Sequence, residues 1–278
     1  MLTVYLNKNV DDFLKGYSKL ETPEERMEGK VEGEVMFEGF DELIRQYEEI
    51  LAIDNFEDQE QESPEIMGVL GPERINVFLQ ATVKYEQHEN YSGNTGLFIT
   101  QLIQNSHDSG NNKFTLNTKA LSKEIDNICS GLKGKGNNLL EIIIDGKVGD
   151  LCSAQATNMG KLHIGGNAGD WCGYSAKNIK KIYMGGNAGS WCGAWAENIK
   201  EVYIGGNAGY NFGWEAKNIG QLYIVGNAEE GCGEKAENST FKTPNKETLR
   251  QLKNHVPKKL GNKLSFIKED GSEEEIRW

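Results

Sequence analysis

The sequence predicts a parallel β-solenoid joined to a separate α+β region, and three observations predict it. Between residues 141 and 240 the chain repeats every twenty residues, five times, without a gap. Three columns never vary across the copies: Gly146, Gly166, Gly186, Gly206 and Gly226; Ala156, Ala176, Ala196, Ala216 and Ala236; and Asn158, Asn178, Asn198, Asn218 and Asn238. Each copy opens on a short alternation, such as KLHIGGN or EVYIGGN, that puts Leu162 and Ile164 on one face and His163 on the other. Gly-Asn turns and a small-residue stretch follow, so strand, turn, strand, turn fills one coil. The common helical repeats run about 33 residues or more and are excluded. Leucine-rich repeats fit the length but need leucines at fixed offsets that are absent. The expected architecture is an α+β N-terminal region (1–138), a right-handed parallel β-helix of five coils (139–240), and a C-terminal cap of a helix plus a β-hairpin (241–278). Coils stacked about 4.8 Å apart give a rod roughly 24 Å long.

The region before the repeats reads as short strands and amphipathic helices. LTVYL (2–6) fits a strand, and Asp11 to Tyr17 starts a short helix. FDELIRQYEEILA (40–52) spaces Leu43, Ile44, Tyr47, Ile50 and Leu51 as a helix does. DNFEDQEQESPE (54–65) is acidic and nearly devoid of apolar residues, the composition of a mobile loop. INVFLQATVKYEQ (75–87) alternates and is rich in β-formers, which predicts a strand. NTGLFITQLIQNSHDSG (94–110) predicts a helix capped by Asn94 or Thr95 and stopped by Gly110. KFTLNT (113–118) then reads as a strand and SKEIDNICSGL (122–132) as a helix. Beyond Asn238 the period fails. PNKETLRQLKNHV (244–256) predicts a helix, and KLSFIKEDGSEEEIRW (263–278) a hairpin turning at Asp270-Gly271. Solenoid ends expose unpaired strand edges, so both flanking regions are expected to act as caps.

Composition narrows the classes of function. The chain of 278 residues carries a net charge of −12, which repels phosphate backbones and makes nucleic acid an unfavourable partner. No apolar run is long enough to span a membrane. The N-terminus lacks the basic start and apolar stretch of a secretory signal, which predicts a cytoplasmic protein. The five cysteines form no CxxC pair, so neither a metal site nor a cofactor is expected. Cys152, Cys172, Cys192, Phe212 and Cys232 share one column, as buried thiols acting as small hydrophobes would. Asn158 to Asn238 and Asn167 to Asn227 are expected to form turn ladders with amides bonding up the stack. The column Thr157, Lys177, Glu197, Lys217, Glu237 alternates in sign and predicts ion pairs between coils.

Two outward features are candidates for binding. One is the aromatic ribbon His163, Tyr183, Tyr203 and Tyr223. The other is a cluster of Trp171, Trp191, Trp195 and Trp214 with Tyr174 and Tyr210. Exposed aromatic patches of this kind mark contacts, with another protein, with a glycan, or with the chain's own N-terminal region. Catalysis has thin support. Carbohydrate-active solenoids need converging carboxylates, and the sole candidates are Asp150 and Asp170, in one column beside Trp171. His88 and the His107-Asp108 pair stand without a partner motif. The GGNAGD run does not match calcium-binding nonapeptides in period or glycine spacing.

GGNAGDWCG, GGNAGSWCG and the Gly-Asn-Ala turns of the second to fifth copies resemble the GXGXG-type β-helix, the C-terminal domain of glutamate synthase large chains and the C subunit of formylmethanofuran dehydrogenase. The resemblance covers the repeats alone and implies a spacer that holds catalytic parts together. The expectation is therefore a non-enzymatic solenoid acting as a scaffold or protein-interaction module. The alternatives are a carbohydrate-binding or carbohydrate-processing β-helix, and a structural subunit of a larger redox or amidotransfer complex.

Overall fold

A computed structural model describes residues 37–53 and 68–277. The strand expected at 2–6, the helix at 11–17 and the acidic segment 54–65 lie outside the described residues. The first described element is α1 (Phe40–Leu51), which buries Leu43, Tyr47, Ile50 and Leu51 as its spacing predicts. Arg45 bridges Glu42 and Glu49 on the opposite, solvent face.

The expected strand at 75–87 is instead a helix, α2 (Pro72–Ala81), continued by a 3-10 turn at Thr82–Tyr85. Proline at the first helical position starts it. Its buried residues are Ile75, Phe78 and Leu79, spaced i, i+3, i+4, and this stripe overrides the local alternation. The next helix, α3 (Tyr91–Asp108), begins before the expected Asn94 or Thr95 cap. Both residues are buried within it. Asn94 donates to the carbonyls of Ile50 and Ile53, and Thr95 Oγ1 lies 2.7 Å from the Tyr47 hydroxyl. They tie α3 to α1 and cap nothing.

The strands β1 (Lys113–Asn117), β2 (Leu140–Asp145), β3 (Met159–Ile164), β4 (Lys181–Met184), β5 (Glu201–Ile204), β6 (Gln221–Ile224), β7 (Thr240–Thr243), β8 (Lys263–Ile267) and β9 (Glu273–Glu275) form one sheet in chain order. Every pairing is parallel except β8 with β9, the expected hairpin. The register follows the sequence period: Lys161 faces Lys181, which faces Glu201, which faces Gln221. Side by side with this sheet run two thinner parallel ladders, Val148–Ala168–Ala188–Ala208–Ala228 and Lys133–Thr157–Lys177–Glu197–Lys217–Glu237. The result is a parallel solenoid-like fold. Its interior is filled by Leu162 and Ile164 and their equivalents, all buried.

The expected helix at 122–132 does not form. Asn127, Cys129 and Gly131 have φ of 58°, 65° and 70°, which no right-handed helix admits. This segment winds like a repeat: Gly149 donates to Ile125 O, Ser153 to Ile128 O, and Gly131 to Ala154 O. Together with β1 it lies on the first repeat, and α3 packs against it. A Cβ on Gly96 of α3 would lie 1.8 Å from Asp126 O, so only glycine permits that approach. Thr100 of α3 accepts the Cys129 N–H at 2.7 Å.

Side chains from the flanking helices hydrogen-bond to backbone groups near both ends of the repeats. Asn76 accepts the Asn117 N–H and Gln80 donates to Asn117 O, which occupies the free edge of β1. At the other end, α4 (Lys246–His255) sets Thr248 over the alanine ladder, where its hydroxyl accepts from Ala228 N and donates to Gly226 O. The last strand carries only Glu273, Glu274 and Glu275, all exposed, a charged edge that opposes further pairing.

Candidate functional site

The aromatic ribbon stands on the outward face of β3 to β6, one ring per strand. His163 and Tyr183 stack with centroids 4.6 Å apart, Tyr183 and Tyr203 at 5.0 Å, Tyr203 and Tyr223 at 5.5 Å, with interplanar angles of 1° to 4°. Parallel rings this close cannot lie side by side, so their faces overlap. Each ring covers its neighbours, and Tyr203 in the middle is only 6% exposed. Burial pushes the Tyr183 and Tyr203 phenols upward and that of Tyr223 up to about 12. The Lys181–Glu201 ion pair, at 2.9 Å, flanks the column. The ribbon ends against Ile143 on one side and Lys242 on the other.

The tryptophan cluster occupies the corner that follows the alanine ladder. Trp171 and Trp191 stack at 5.1 Å, and Trp191 and Trp195 at 5.8 Å. Trp214 stands edge-on to both Trp191 and Trp195, and Tyr174 edge-on to Trp171 and Trp195. All five are half-buried. Trp195 donates its indole N–H to Glu215 at 2.9 Å, while the Lys235 ammonium sits 4.2 Å over Trp214 and 3.5 Å from Glu215. Tyr210, at 53% exposure, is the open member of this corner. The backbone here is left-handed at Trp171, Trp191 and Trp195, with φ of 60°, 59° and 54°. Left-handed backbone costs a bulky residue about 1–2 kcal/mol, and the stacking offsets that cost.

Asp150 and Asp170, the one expected acid pair, belong to a hydrogen-bonded column. Asp126 Oδ1 accepts the Asp150 N–H at 2.8 Å, Asp150 Oδ1 the Asp170 N–H at 2.7 Å, and Asp170 Oδ1 the Ser190 N–H at 2.7 Å. Each carboxylate thus holds the next coil's backbone. Partial burial raises the Asp150 carboxyl, the Asp170 N–H lowers it, and the nearby carboxylates of Asp126, Asp170 and Glu124 raise it further. The histidines are similarly placed. Buried His107 sits between Asn111 O at 2.7 Å and the Lys135 N–H at 3.2 Å, and Asp108 pairs with Lys135 at 2.9 Å. His88 accepts the Asn90 N–H.

The remaining columns also bind coil to coil. Asn178, Asn198 and Asn218 each donate to the preceding Asn158-column amide, as expected. The Asn167 column works differently: Asn167, Asn187 and Asn207 accept the backbone N–H of the next asparagine. Lys177 pairs with Glu197 at 3.2 Å and Lys217 with Glu237 at 3.5 Å. All five thiols are free and buried. Hydrogen bonding to Cys152 and Cys192, with burial, raises the Cys172 thiol well above its ordinary range. Asp126 and Cys129 extend the aspartate and thiol columns beyond the regular repeats, and sequence reasoning missed both. The offset between Cys129 and Cys152 breaks the period of twenty, which hides the relation.

The chain was compared with protein-family models, with curated proteins and with solved structures, and nothing matches in any of the three. Among the described residues no helix is long and apolar enough to cross a membrane.

Proposed function

We propose that this protein is a non-enzymatic scaffold: a right-handed solenoid of five twenty-residue coils, with the helices α1 to α3 capping one end and α4 with the β8–β9 hairpin capping the other. One observation carries this reading. The side chains that looked chemical are engaged in joining coil to coil. The aspartates hold backbone N–H groups of the next coil, the tyrosines stack on one another, and the tryptophans pack on one another within their own cluster. A sugar-stacking surface needs open ring faces, and the ribbon rings cover one another's faces, so the arrangement favours a scaffold over a glycan reader. The spacer role implied by the GXGXG resemblance agrees with this reading. The function then lies in holding other components at fixed separations along a rigid rod.

Size analysis of the protein in native lysate tests the proposal. A scaffold elutes well above its own 31.0 kDa, with a constant companion in fixed ratio, and the purified protein turns over no substrate. A lone chain in lysate that turns over a substrate when purified overturns it.

A further inference from the structure

Two exposed surface features of the chain have complementary chemistry. The tryptophan corner exposes Tyr210 at 53%, and exposed Glu229 and Glu230 follow in the next coil, with Glu230 in the column of Tyr210. Its cation, Lys235, is already engaged with Trp214 and Glu215. At the far end of the chain the charge reverses. From Lys242 to Lys263 the sequence holds six lysines and Arg250 against a single acid, Glu247; Glu247 pairs with Arg250, and Lys242 pairs with Glu273 of the last strand. Leu260 protrudes there at 40% exposure, flanked by exposed Lys258, Lys259 and Lys263. An exposed tyrosine therefore stands beside two acids and an exposed leucine beside three lysines, on two different surfaces of a single chain.

We infer that a second copy of this chain docks its Lys258–Lys263 turn onto the tryptophan corner, with Leu260 against the Tyr210 side of the aromatic cluster and the lysines against the bordering carboxylates. The inference rests on the scaffold reading and deepens it by naming a partner. The two surfaces differ, so the contact is heterologous, and each docked copy offers a fresh corner and a fresh turn. Assembly then proceeds head to tail. Because charges border the contact, salt weakens it.

The test is sedimentation of the full chain at rising concentration, at about 50 mM and about 500 mM salt, the second being strongly screening. The expected result is a mass that climbs beyond 31.0 kDa at low salt and falls back at high salt. A corner variant (Tyr210→Ser, Glu229→Gln, Glu230→Gln) and a turn variant (Lys259→Gln, Leu260→Ser, Lys263→Gln) are each expected to stay monomeric. Mixed, they pair once through the two intact surfaces and stop at a dimer. A wild-type chain that stays monomeric throughout, or whose assembly ignores salt, overturns the proposal, and both readings need no variant to fold. So does assembly that survives both variants, or a mixture that fails to pair. A chain monomeric by itself yet bound to another protein in fixed ratio ends the self-assembly proposal and leaves the scaffold reading standing.

Discussion

Asn245 donates from its amide to Asn227 Oδ1 at 3.0 Å, while its own Oδ1 accepts the N–H groups of Glu247 and Thr248. One side chain therefore ends the asparagine column and caps α4. Replacing it with alanine removes both roles and is expected to cost about 1–2 kcal/mol. Asn245→Asp keeps the helix cap and loses only the amide donor, so it should lie between wild type and alanine. Urea unfolding midpoints of the three proteins check the order.

The aspartate column makes a prediction that separates structure from chemistry. Asp170→Asn retains an oxygen for the Ser190 N–H and should change stability by less than about 0.5 kcal/mol. Asp170→Ala leaves that N–H to solvent and should cost about 1 kcal/mol. If any activity is found and asparagine abolishes it while stability holds, the carboxylate has a chemical role that the ladder does not explain.

Trp191 has φ of 59° and stacks on Trp171 and Trp195. Truncation to alanine loses the stacking and keeps the strained backbone. Glycine loses the same contacts and relieves the strain, so Trp191→Gly is expected to be about 1 kcal/mol more stable than Trp191→Ala. That order is the reverse of what a helix or strand interior gives, and thermal unfolding measures it.

Alkali should act on the tyrosine ribbon late. Burial raises all three ribbon phenols, Tyr223 up to about 12. A raised folded value means the neutral form is favoured in the fold. Stability from these groups is complete below the unfolded tyrosine value of about 10. It is lost as pH rises from there through the folded values. Absorbance titration should show the ribbon phenols ionising together with unfolding.

All five thiols are buried, and burial shields them from reagents. Burial pushes Cys232 up to about 12 and raises Cys129 strongly, while hydrogen bonding to Cys152 and Cys192, with burial, raises Cys172. A thiol reagent at pH 8 is expected to modify none of the five until denaturant is added. Prompt labelling of one or more would show that the solenoid interior opens.

The repeat region was legible because its period matches its register. The inward columns, the Asn158 amide ladder, the alternating ion pairs and the β8–β9 hairpin all follow from residue spacing. Two segments misled for physical reasons. Ile125, Ile128, Cys129 and Leu132 carry helical spacing, but here alternating left-handed residues bring them inward in a wound, non-helical segment. Val77 and neighbouring β-formers suggested a strand where Pro72 and the Ile75, Phe78, Leu79 stripe select a helix. The aspartates and the ribbon rings share columns, as their spacing implies, while the tryptophans cluster across neighbouring columns. What the sequence could not show is that each column is its own partner, since stacking angles and donor–acceptor pairs exist only once the coils are in register.

Hydrogen exchange followed residue by residue tests the rigid-rod account most directly. The amides of β3, β4, β5 and β6, each bonded to a neighbouring coil, should exchange together and only through global unfolding. Exchange of these strands one by one, at rates near those of the exposed turns, would contradict a scaffold built from mutually locked coils.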